Sequence, residues 1–171
     1  NNSDQLLIEQ ARKFQPEIVV IANDKKYEIV KDALKDLPIK VFAGSQSIAE
    51  VAEMEPVDIV LTAMVGYSGL QPTIHALNAG KTIALANKET LVVAGDLICD
   101  LAKKNRCAIL PVDSEHSAVF QCLAGENSPI EKIVVVNNGS TDETKAWLDS
   151  QEDLVVIHQE NVGGSGGFHT G

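Results

Sequence analysis

The stretch VDIVLTAMVGYSGLQPTIHALNAGKTIALAN, residues 57–87, decides the fold class. Two apolar runs, VDIVLTAM and KTIALAN, stand at its ends, and a segment long enough for a helix separates them. Near-continuous apolar runs of this length are typical of strands that are covered on both faces. A strand, a helix and a second strand in this order form a right-handed unit with parallel strands.

The same alternation continues through the rest of the chain. Further strand-like runs are EIVVIA (17–22), IKVFA (39–43), CAILPV (107–112), KIVVVNN (132–138) and LVVIHQ (154–159). Between strands, DKKYEIVKDALKDLP (24–38) and ETLVVAGDLICDLAKKN (89–105) have the period of amphipathic helices. We expect Asp24 to cap the first of these helices and Pro38 to end it. The sequence therefore predicts an α/β fold, a Rossmann-like parallel sheet with helices on both faces.

The composition narrows the functional classes. The 171 residues carry a formal net charge of −10, which disfavours nucleic acid and anionic membranes as partners because both require a basic surface. No apolar run approaches the roughly 18 residues needed to cross a bilayer, and the polar start does not resemble a signal peptide. Cys99, Cys107 and Cys122 cannot all form disulfides, which suits a reducing compartment. We therefore expect a cytoplasmic protein whose ligands are small molecules.

In parallel α/β sheets, ligands bind beyond the carboxyl ends of the strands, and VDSEH (112–116) is the most informative segment of that kind. If the strand continues to Glu115, then Asp113 and Glu115 point to the same side and His116 faces elsewhere. Two adjacent carboxylates repel each other unless a cation lies between them, which favours a hard ion such as Mg²⁺ or Mn²⁺. The alternative is that Asp113 or Ser114 caps a helix whose first turn holds Glu115.

ANKET (86–90) follows another strand and places Lys88 between Asn87 and Glu89. An amide, a cation and a carboxylate at one strand end suit an anionic ligand that bears hydroxyl groups. The alternative is a helix start that is capped by Asn87 and leaves Lys88 in solvent.

MVGYSG (64–69) follows a third strand, and Gly66 and Gly69 stand between this strand and a helix. Glycines at such a position let backbone N–H groups approach a phosphate or a flat ring closely. A plain tight turn explains them equally well.

Together these segments resemble one known family. LTAMVGYSGLQPTIHALNAGKTIALANKETLVVAGDL, followed by ILPVDSEHSAVFQCL, is similar to the 1-deoxy-D-xylulose 5-phosphate reductoisomerases, NADPH- and metal-dependent enzymes of isoprenoid synthesis. The likeness covers residues 1 to about 132 and is carried above all by ANKE and PVDSEH. It implies an oxidoreductase in which a metal chelates a phosphorylated hydroxyketone, the carbon skeleton rearranges to an aldehyde, and NADPH reduces it. The resemblance leaves open whether the protein forms a homodimer.

The resemblance also implies roles for individual residues. The implied metal ligands are Asp113 and Glu115. The implied substrate-binding residues are Lys88, Ser114 and Glu115, and two of them, Lys88 and Glu115, are implied to be catalytic. The residues implied to lie beside NADPH are Gly66, Asn87 and Glu89. The family's opening strand with its glycine-rich pyrophosphate-binding turn and a later metal-binding glutamate do not occur in this sequence. We therefore expect the chain to be an incomplete reductoisomerase that is inactive alone.

Residues 133–171 resemble a different family. NNGSTD after the strand and ENVGGSGGF near the end are similar to the first part of nucleotide-sugar glycosyltransferases with the GT-A fold. This resemblance implies that Asn138 and Asp142 lie near a nucleotide base and residues 163–167 near its diphosphate. We predict a reductoisomerase segment over residues 1–132 and a glycosyltransferase-like tail over residues 133–171. A glycosyltransferase fragment and a non-catalytic α/β scaffold are the alternative functions.

The tail also gives three structural expectations. KIVVV should extend the main sheet after CAILPV as a buried strand, and LVVIHQ should pair as a further strand. The glycine-rich end beyond Val162 has little to bury, so we expect it to be mobile unless a ligand or a partner orders it.

Overall fold

The computed structural model describes residues 3–171. These residues form two compact units, unit 1 up to Cys122 and unit 2 over Leu123–Gly171. Within residues 3–171, no helix is both long and apolar enough to cross a membrane.

Unit 1 alternates helices and strands, as the sequence predicts. Its elements are α1 (Asp4–Phe14), β1 (Ile18–Ile21), a 3₁₀ turn (Asp24–Lys26), α2 (Tyr27–Leu34), β2 (Lys40–Ala43), α3 (Ser45–Glu53), β3 (Ile59–Thr62), a second 3₁₀ turn (Gly66–Gly69), α4 (Leu70–Asn78), β4 (Thr82–Leu85), α5 (Glu89–Asn105), β5 (Ile109–Pro111) and α6 (Ser114–Leu123).

All strand pairs in unit 1 are parallel. β1 pairs with β2, with Val19 opposite Val41, and β3, β4 and β5 form a second sheet in that order, with Leu61 opposite Ala84 and Ala84 opposite Leu110. The predicted Rossmann-like α/β class is confirmed, because parallel strands alternate with helices that pack on the sheets.

The larger core lies between the three-stranded sheet and α3, α4 and α5. Ile83 and Leu85 of β4 are buried there against Leu77 of α4 and Ile98 of α5. The apolar side of α5 faces this core even though Ala94 has non-helical backbone angles that kink the helix. α5 connects the carboxyl end of β4 to the amino end of β5.

A second core packs α1 and α2 on the two-stranded sheet. Val30 and Leu34 of α2 are fully buried against Ile21 of β1. The prediction that Asp24 caps this helix was wrong, since α2 begins only at Tyr27, after a 3₁₀ turn. The side chain of Asn23 caps that turn and accepts the backbone N–H of Lys25 at 3.1 Å. The α-helix also ends at Leu34, before Pro38, because the chain tightens into turns there.

Unit 2 is a separate parallel βαβ arrangement. It contains β6 (Ile133–Asn138), α7 (Thr144–Asp149), β7 (Leu154–Gln159) and α8 (Gly163–Thr170), and β6 pairs with β7 in register from Ile133 opposite Leu154. The predicted pairing of LVVIHQ is therefore confirmed.

The expectation that KIVVV extends the main sheet as a buried strand was wrong, and the mobility of the glycine-rich end stays a prediction. β6 does not extend the sheet that ends at β5, and Ile133 and Val134 are about half exposed (50% and 49%), because β6 finds its partner locally in β7. The glycine-rich end forms α8, which is tied to the sheet by two side-chain hydrogen bonds. Asn138 Nδ2 donates to the carbonyl of Gly163 at 2.9 Å, and Thr170 Oγ1 donates to Gln159 Oε1 at 2.6 Å.

Candidate active site

The carboxyl ends of β3, β4 and β5 are held at one edge of their sheet. The N–H of Ala86 donates to the carbonyl of Thr62 at 3.1 Å, and the N–H groups of Val112 and Asp113 both donate to the carbonyl of Leu85, at 2.9 and 3.2 Å. These bonds bring the segments MVGYSG, ANKET and VDSEH together, as expected for strand ends in a parallel sheet.

Lys88 lies between the two carboxylates that the sequence predicts as metal ligands. Its Nζ is 3.2 Å from Asp113 Oδ2 and 3.3 Å from Glu115 Oε2. The Asp113 side chain is only 9% exposed, whereas Glu115 is 71% and Lys88 50% exposed. The site thus has one buried carboxylate at its base and a cation and a second carboxylate near solvent.

The backbone that carries these carboxylates differs from the prediction. β5 ends at Pro111 and α6 begins at Ser114, so the strand does not continue to Glu115. The carbonyl of Asp113 accepts the N–H of Ser117 at 2.8 Å, which puts Asp113 at the position that precedes a helix, and Glu115 lies in the first turn. Asp113 and Glu115 therefore converge through the start of a helix and not through strand alternation.

His116 was wrongly expected to face away from Asp113. Its Nδ1 lies 3.3 Å from Asp113 Oδ1, because residues three apart at a helix start share a face. The only sequence signal for this contact was the alternative helical interpretation of VDSEH, in which the spacing of Asp113 and His116 brings them together.

The charges of the site shift two pKa values in opposite directions. Hydrogen bonding to Asp113 and then to Glu115 raises the pKa of the Lys88 ammonium. Burial by itself raises the pKa of Asp113, but its hydrogen bonds with Glu115 and Lys88 lower it more, so its pKa lies below the usual value. Both effects keep Lys88 cationic and Asp113 anionic at neutral pH.

One oxygen of Asp113 is left without a hydrogen bond. Oδ1 is buried, and although His116 Nδ1 is near, the contact does not have hydrogen-bond geometry. A buried carboxylate oxygen without a partner fits a cation ligand, and a hard divalent ion would suit it. Within residues 3–171, however, no three His, Cys, Asp or Glu side chains cluster as a metal site requires. The residues present fit such an ion as a partial set of oxygen ligands.

Asn87 is buried and uses its whole amide group inside the protein. The residue is 3% exposed. Its side-chain Nδ2 donates to the carbonyls of Met64 and of Gly66, the latter at 2.9 Å, and its Oδ1 accepts the N–H of Thr90 at 3.3 Å. Asn87 therefore fastens the MVGYSG turn to the start of α5. The sequence suggested capping by Asn87 as an alternative, but it gave no sign of the bonds to Met64 and Gly66.

The two glycines of this turn have different surroundings. A Cβ atom at Gly69 would lie 2.5 Å from Asn87 Nδ2 and 3.2 Å from the carbonyl of Met64, so a larger residue would force the Asn87 side chain or the turn to shift. Gly66 has a φ of +66° and open space around it. Gly66 is thus free for a ligand to approach, whereas Gly69 serves the packing of the turn.

The remaining predicted site residues stand at the starts of helices. Ser114 is the first residue of α6 and Glu89 the first residue of α5, and both are exposed. The structure brings Lys88, Asp113 and Glu115 into direct contact, and it places Glu89 and Ser114 beside them in the chain.

Sequence and structure comparisons identify one family across most of the chain. The model of the 1-deoxy-D-xylulose 5-phosphate reductoisomerase family matches residues 1–95, and the model of the C-terminal domain of these enzymes matches residues 109–159. The reductoisomerase of Bacteroides fragilis is 64% identical over 140 residues, and that of Bacteroides thetaiotaomicron is 65% identical over 140 residues. Each alignment covers 81% of this chain but 36% of the relative, so the chain spans little more than a third of these relatives.

Solved structures agree with the sequence relatives. The reductoisomerase from Zymomonas mobilis in complex with NADPH has a TM-score of 0.73 and 36% identity, over 84% of this chain and 38% of that one. A reductoisomerase in complex with NADPH, fosmidomycin and magnesium has a TM-score of 0.71 and 35% identity, over 80% of this chain and 36% of that one.

The comparisons correct the predicted end of the resemblance. The reductoisomerase match reaches residue 159 and not about 132, and a glycosyltransferase origin of the tail is not supported. A strand followed by a polar turn, a short helix and a second strand occurs in many α/β proteins, so NNGSTD did not discriminate between families. With a family match over more than half of its length and close relatives along four-fifths of it, the chain belongs to the 1-deoxy-D-xylulose 5-phosphate reductoisomerase family.

Proposed function

We propose that this chain is part of an enzyme that converts 1-deoxy-D-xylulose 5-phosphate to 2-C-methyl-D-erythritol 4-phosphate, with NADPH and a divalent metal, in isoprenoid biosynthesis. The observation that carries this proposal is the contact of Lys88 with both Asp113 and Glu115 at the carboxyl edge of a parallel sheet. The reaction is inferred from family membership, and the contact of Lys88 with the two carboxylates supports this edge of the sheet as the active site.

Asp113 and Glu115 are the proposed metal ligands. The buried Oδ1 of Asp113 has no hydrogen bond to give up, and Glu115 is exposed enough to turn toward an ion. The ion, when bound, polarises the hydroxyketone oxygens and orients the substrate. Magnesium occurs in related structures, and manganese is an alternative ion with the same preference for oxygen ligands.

Lys88, Ser114 and Glu115 are the proposed substrate-binding residues, with Lys88 and Glu115 acting in catalysis. The ammonium group of Lys88 is held cationic by its neighbours, and half of the side chain reaches solvent. It therefore suits an anionic or carbonyl oxygen of a phosphorylated hydroxyketone. Ser114 presents its hydroxyl from the first residue of α6.

Gly66, Asn87 and Glu89 are proposed to lie along NADPH in different roles. Gly66 leaves open space for the cofactor, and Glu89 is exposed at the start of α5. Asn87 contributes by holding the backbone of the turn, since its amide group is already fully bonded.

Three broader features complete the proposal. We place the enzyme in the cytoplasm, as a homodimer, and we assign residues 1–132 to the cofactor-binding and catalytic core. Residues 1–171 alone are proposed to be inactive, because a site that lacks part of its ligands is not preorganised. A non-catalytic scaffold is the competing function, and metal binding distinguishes the two.

The test is a Mn²⁺ titration of residues 1–171 followed by paramagnetic broadening of NMR signals. Signals of residues 112–116 should broaden first, and a double variant, Asp113→Asn with Glu115→Gln, should lose this effect. The matched control changes Asp32→Asn and Glu28→Gln, which remove the same charges from exposed positions of α2. Equal broadening in the site variant and in the wild type would contradict the proposal.

A further inference from the structure

Two carboxylates of the candidate active site share one cation, the ammonium group of Lys88. Its Nζ lies 3.2 Å from Asp113 Oδ2, and it donates a hydrogen bond to Glu115 Oε2 at 3.3 Å. Neighbouring carboxylates repel each other unless a cation lies between them. Lys88 supplies that cation, so it uses the same two side chains that a divalent ion would use.

The two oxygens of Asp113 have different surroundings. Oδ2 contacts Lys88, whereas Oδ1 is buried and has no hydrogen bond. An ion that binds Oδ1 therefore leaves the contact between Oδ2 and Lys88 in place. Asp113 does not have to choose between the two cations.

Glu115 differs from Asp113 in its exposure and in its bond to Lys88. Its side chain is 71% exposed in the first turn of α6, whereas that of Asp113 is 9% exposed. An exposed glutamate changes its rotamer easily, because no packing holds its carboxylate in one direction. Glu115 is thus the residue of the pair that can exchange Lys88 for an ion.

The charges of this cluster favour such an exchange. Two carboxylates outweigh one ammonium group, so the cluster attracts a further cation. A bound ion with two positive charges reverses this balance and repels Lys88, since like charges a few ångströms apart repel strongly even near a protein surface. A state in which Glu115 holds both cations is therefore unfavourable.

We propose that a divalent ion and the ammonium group of Lys88 compete for the carboxylate of Glu115, so that binding of the ion releases Lys88 from Glu115. The released ammonium group is then available to an anionic or carbonyl oxygen of the substrate. This inference rests on the proposed function, which assigns the metal ligands and the substrate-binding residues. It adds an order of events, in which the ion binds before Lys88 engages the substrate.

The first experiment measures the affinity of residues 1–171 for Mn²⁺ by electron paramagnetic resonance, which detects the free ion. Lys88→Met removes the competing ammonium group and keeps an unbranched side chain. This variant should bind Mn²⁺ at least about tenfold more tightly than the wild type. Lys88→Arg keeps a cation at this position and should bind Mn²⁺ more weakly than Lys88→Met.

Two comparisons isolate the competition for Glu115. Lys103→Met removes the same charge from an exposed position in the last turn of α5, and it should leave the Mn²⁺ affinity within about twofold of the wild type. In a Glu115→Gln background, Lys88→Met should change this affinity by less than about threefold, because the residue for which the two cations compete is already removed.

The second experiment follows Lys88 itself by NMR, with Mg²⁺ because this ion is not paramagnetic. On saturation with Mg²⁺, the side-chain ammonium signal of Lys88 should move toward that of the exposed Lys103, and its protons should exchange faster with water. NaCl at equal ionic strength is the control and should leave the signal unchanged. The Glu115→Gln variant should not show the change with Mg²⁺.

Two results would overturn the proposal, and they differ in what they say about the proposed function. If Mn²⁺ broadens the signals of residues 112–116 but Lys88→Met does not bind it more tightly, the two cations do not compete, and the proposed function stands. If Mn²⁺ binds at residues 112–116 in neither protein, the proposed metal ligands are wrong and the inference fails with them. If Lys88→Met does not fold, the Lys88 signal of the wild type decides.

Discussion

Units 1 and 2 both place polar side chains at the carboxyl ends of parallel strands, yet these side chains have different partners. In unit 1, Lys88, Asp113 and Glu115 are charged, reach solvent in part and leave one buried oxygen without a hydrogen bond. In unit 2, the corresponding residues are neutral amides and a histidine that bond to each other and to the backbone.

In unit 2, the polar side chains at the carboxyl ends of the strands stabilise the fold by hydrogen bonds to each other and to the backbone. Asn137 contacts His158 at 3.0 Å and accepts the N–H of Ser140 at 3.0 Å. Asn138 accepts from Gln159 at 2.8 Å and donates to the carbonyl of Gly163. These bonds fix turns and the start of α8. The comparison teaches that unsatisfied charge at a strand end, more than polarity there, marks a candidate site.

The largest expected effect tests the charged edge of unit 1 in the full-length enzyme. Asp113→Asn should lower kcat/KM with Mg²⁺ by about a hundredfold or more, because it removes a charged ligand from the proposed metal site. The control is Asp142→Asn, which removes an exposed charge after β6 in unit 2 and should leave kcat/KM unchanged. Steady-state kinetics measure kcat/KM of both variants. Equal losses of kcat/KM would contradict the inference that the charged strand ends of unit 1, and not those of unit 2, form the site.

A smaller effect is expected at Gly69, where the packing of the unit 1 turn is tightest. Gly69→Ala should destabilise the chain by about 1–3 kcal/mol, since its Cβ would lie 2.5 Å from Asn87 Nδ2. Gly95→Ala is the matched control, because Gly95 lies inside α5 with nothing within 4 Å of its Cβ position. That variant should stabilise by about 0.5–1 kcal/mol. Urea unfolding gives both values, and changes of the same sign would contradict the packing argument.

Asn87 should behave like the satisfied amides of unit 2, even though it lies in unit 1. Asn87→Ala leaves the carbonyls of Met64 and Gly66 without their donor, so we expect a loss of about 1–2 kcal/mol. Asn138→Ala removes the donor to the carbonyl of Gly163 in the same way. This carbonyl lies at the surface, where water can replace the donor, so the loss of stability should be smaller. The free energies of unfolding can be compared directly. A neutral Asn87→Ala variant would show that the turn does not depend on this side chain.

The smallest effect is a pH dependence in unit 2. Hydrogen bonds from Lys145 and then His158 lower the pKa of Asp149 below 3.8. A depressed pKa in the folded state contributes stability above the unfolded value, and this contribution disappears as the pH falls from about 3.8 through the folded pKa. Asp149→Asn should therefore flatten the dependence of stability on pH in this acidic range. Unfolding curves at several pH values test this, with exposed Glu152→Gln as the control.

The site could be predicted in part because strand ends and residue types are properties of the sequence. The runs TIAL and ILP located the segments in which Lys88 and Asp113 lie, and parallel pairing implied that these segments would meet. The sequence left the contact of His116 with Asp113 undecided, because this contact depends on whether the chain leaves β5 as a strand or enters a helix. The backbone around Ser114 decides this, through the bond from Ser117 to Asp113.

The sequence by itself determined the order of the strands, their parallel direction and the family over residues 1 to about 132, because these depend on local periodicity and on a few residues in fixed segments. Only the tertiary structure decided which strand edges stay free, that β6 pairs with β7 instead of β5, and that Asn87 is buried with its amide saturated. These features depend on contacts between residues far apart in the chain. An apolar run can pair with any neighbouring strand that shares its pattern, so packing and backbone hydrogen bonding choose among the alternatives.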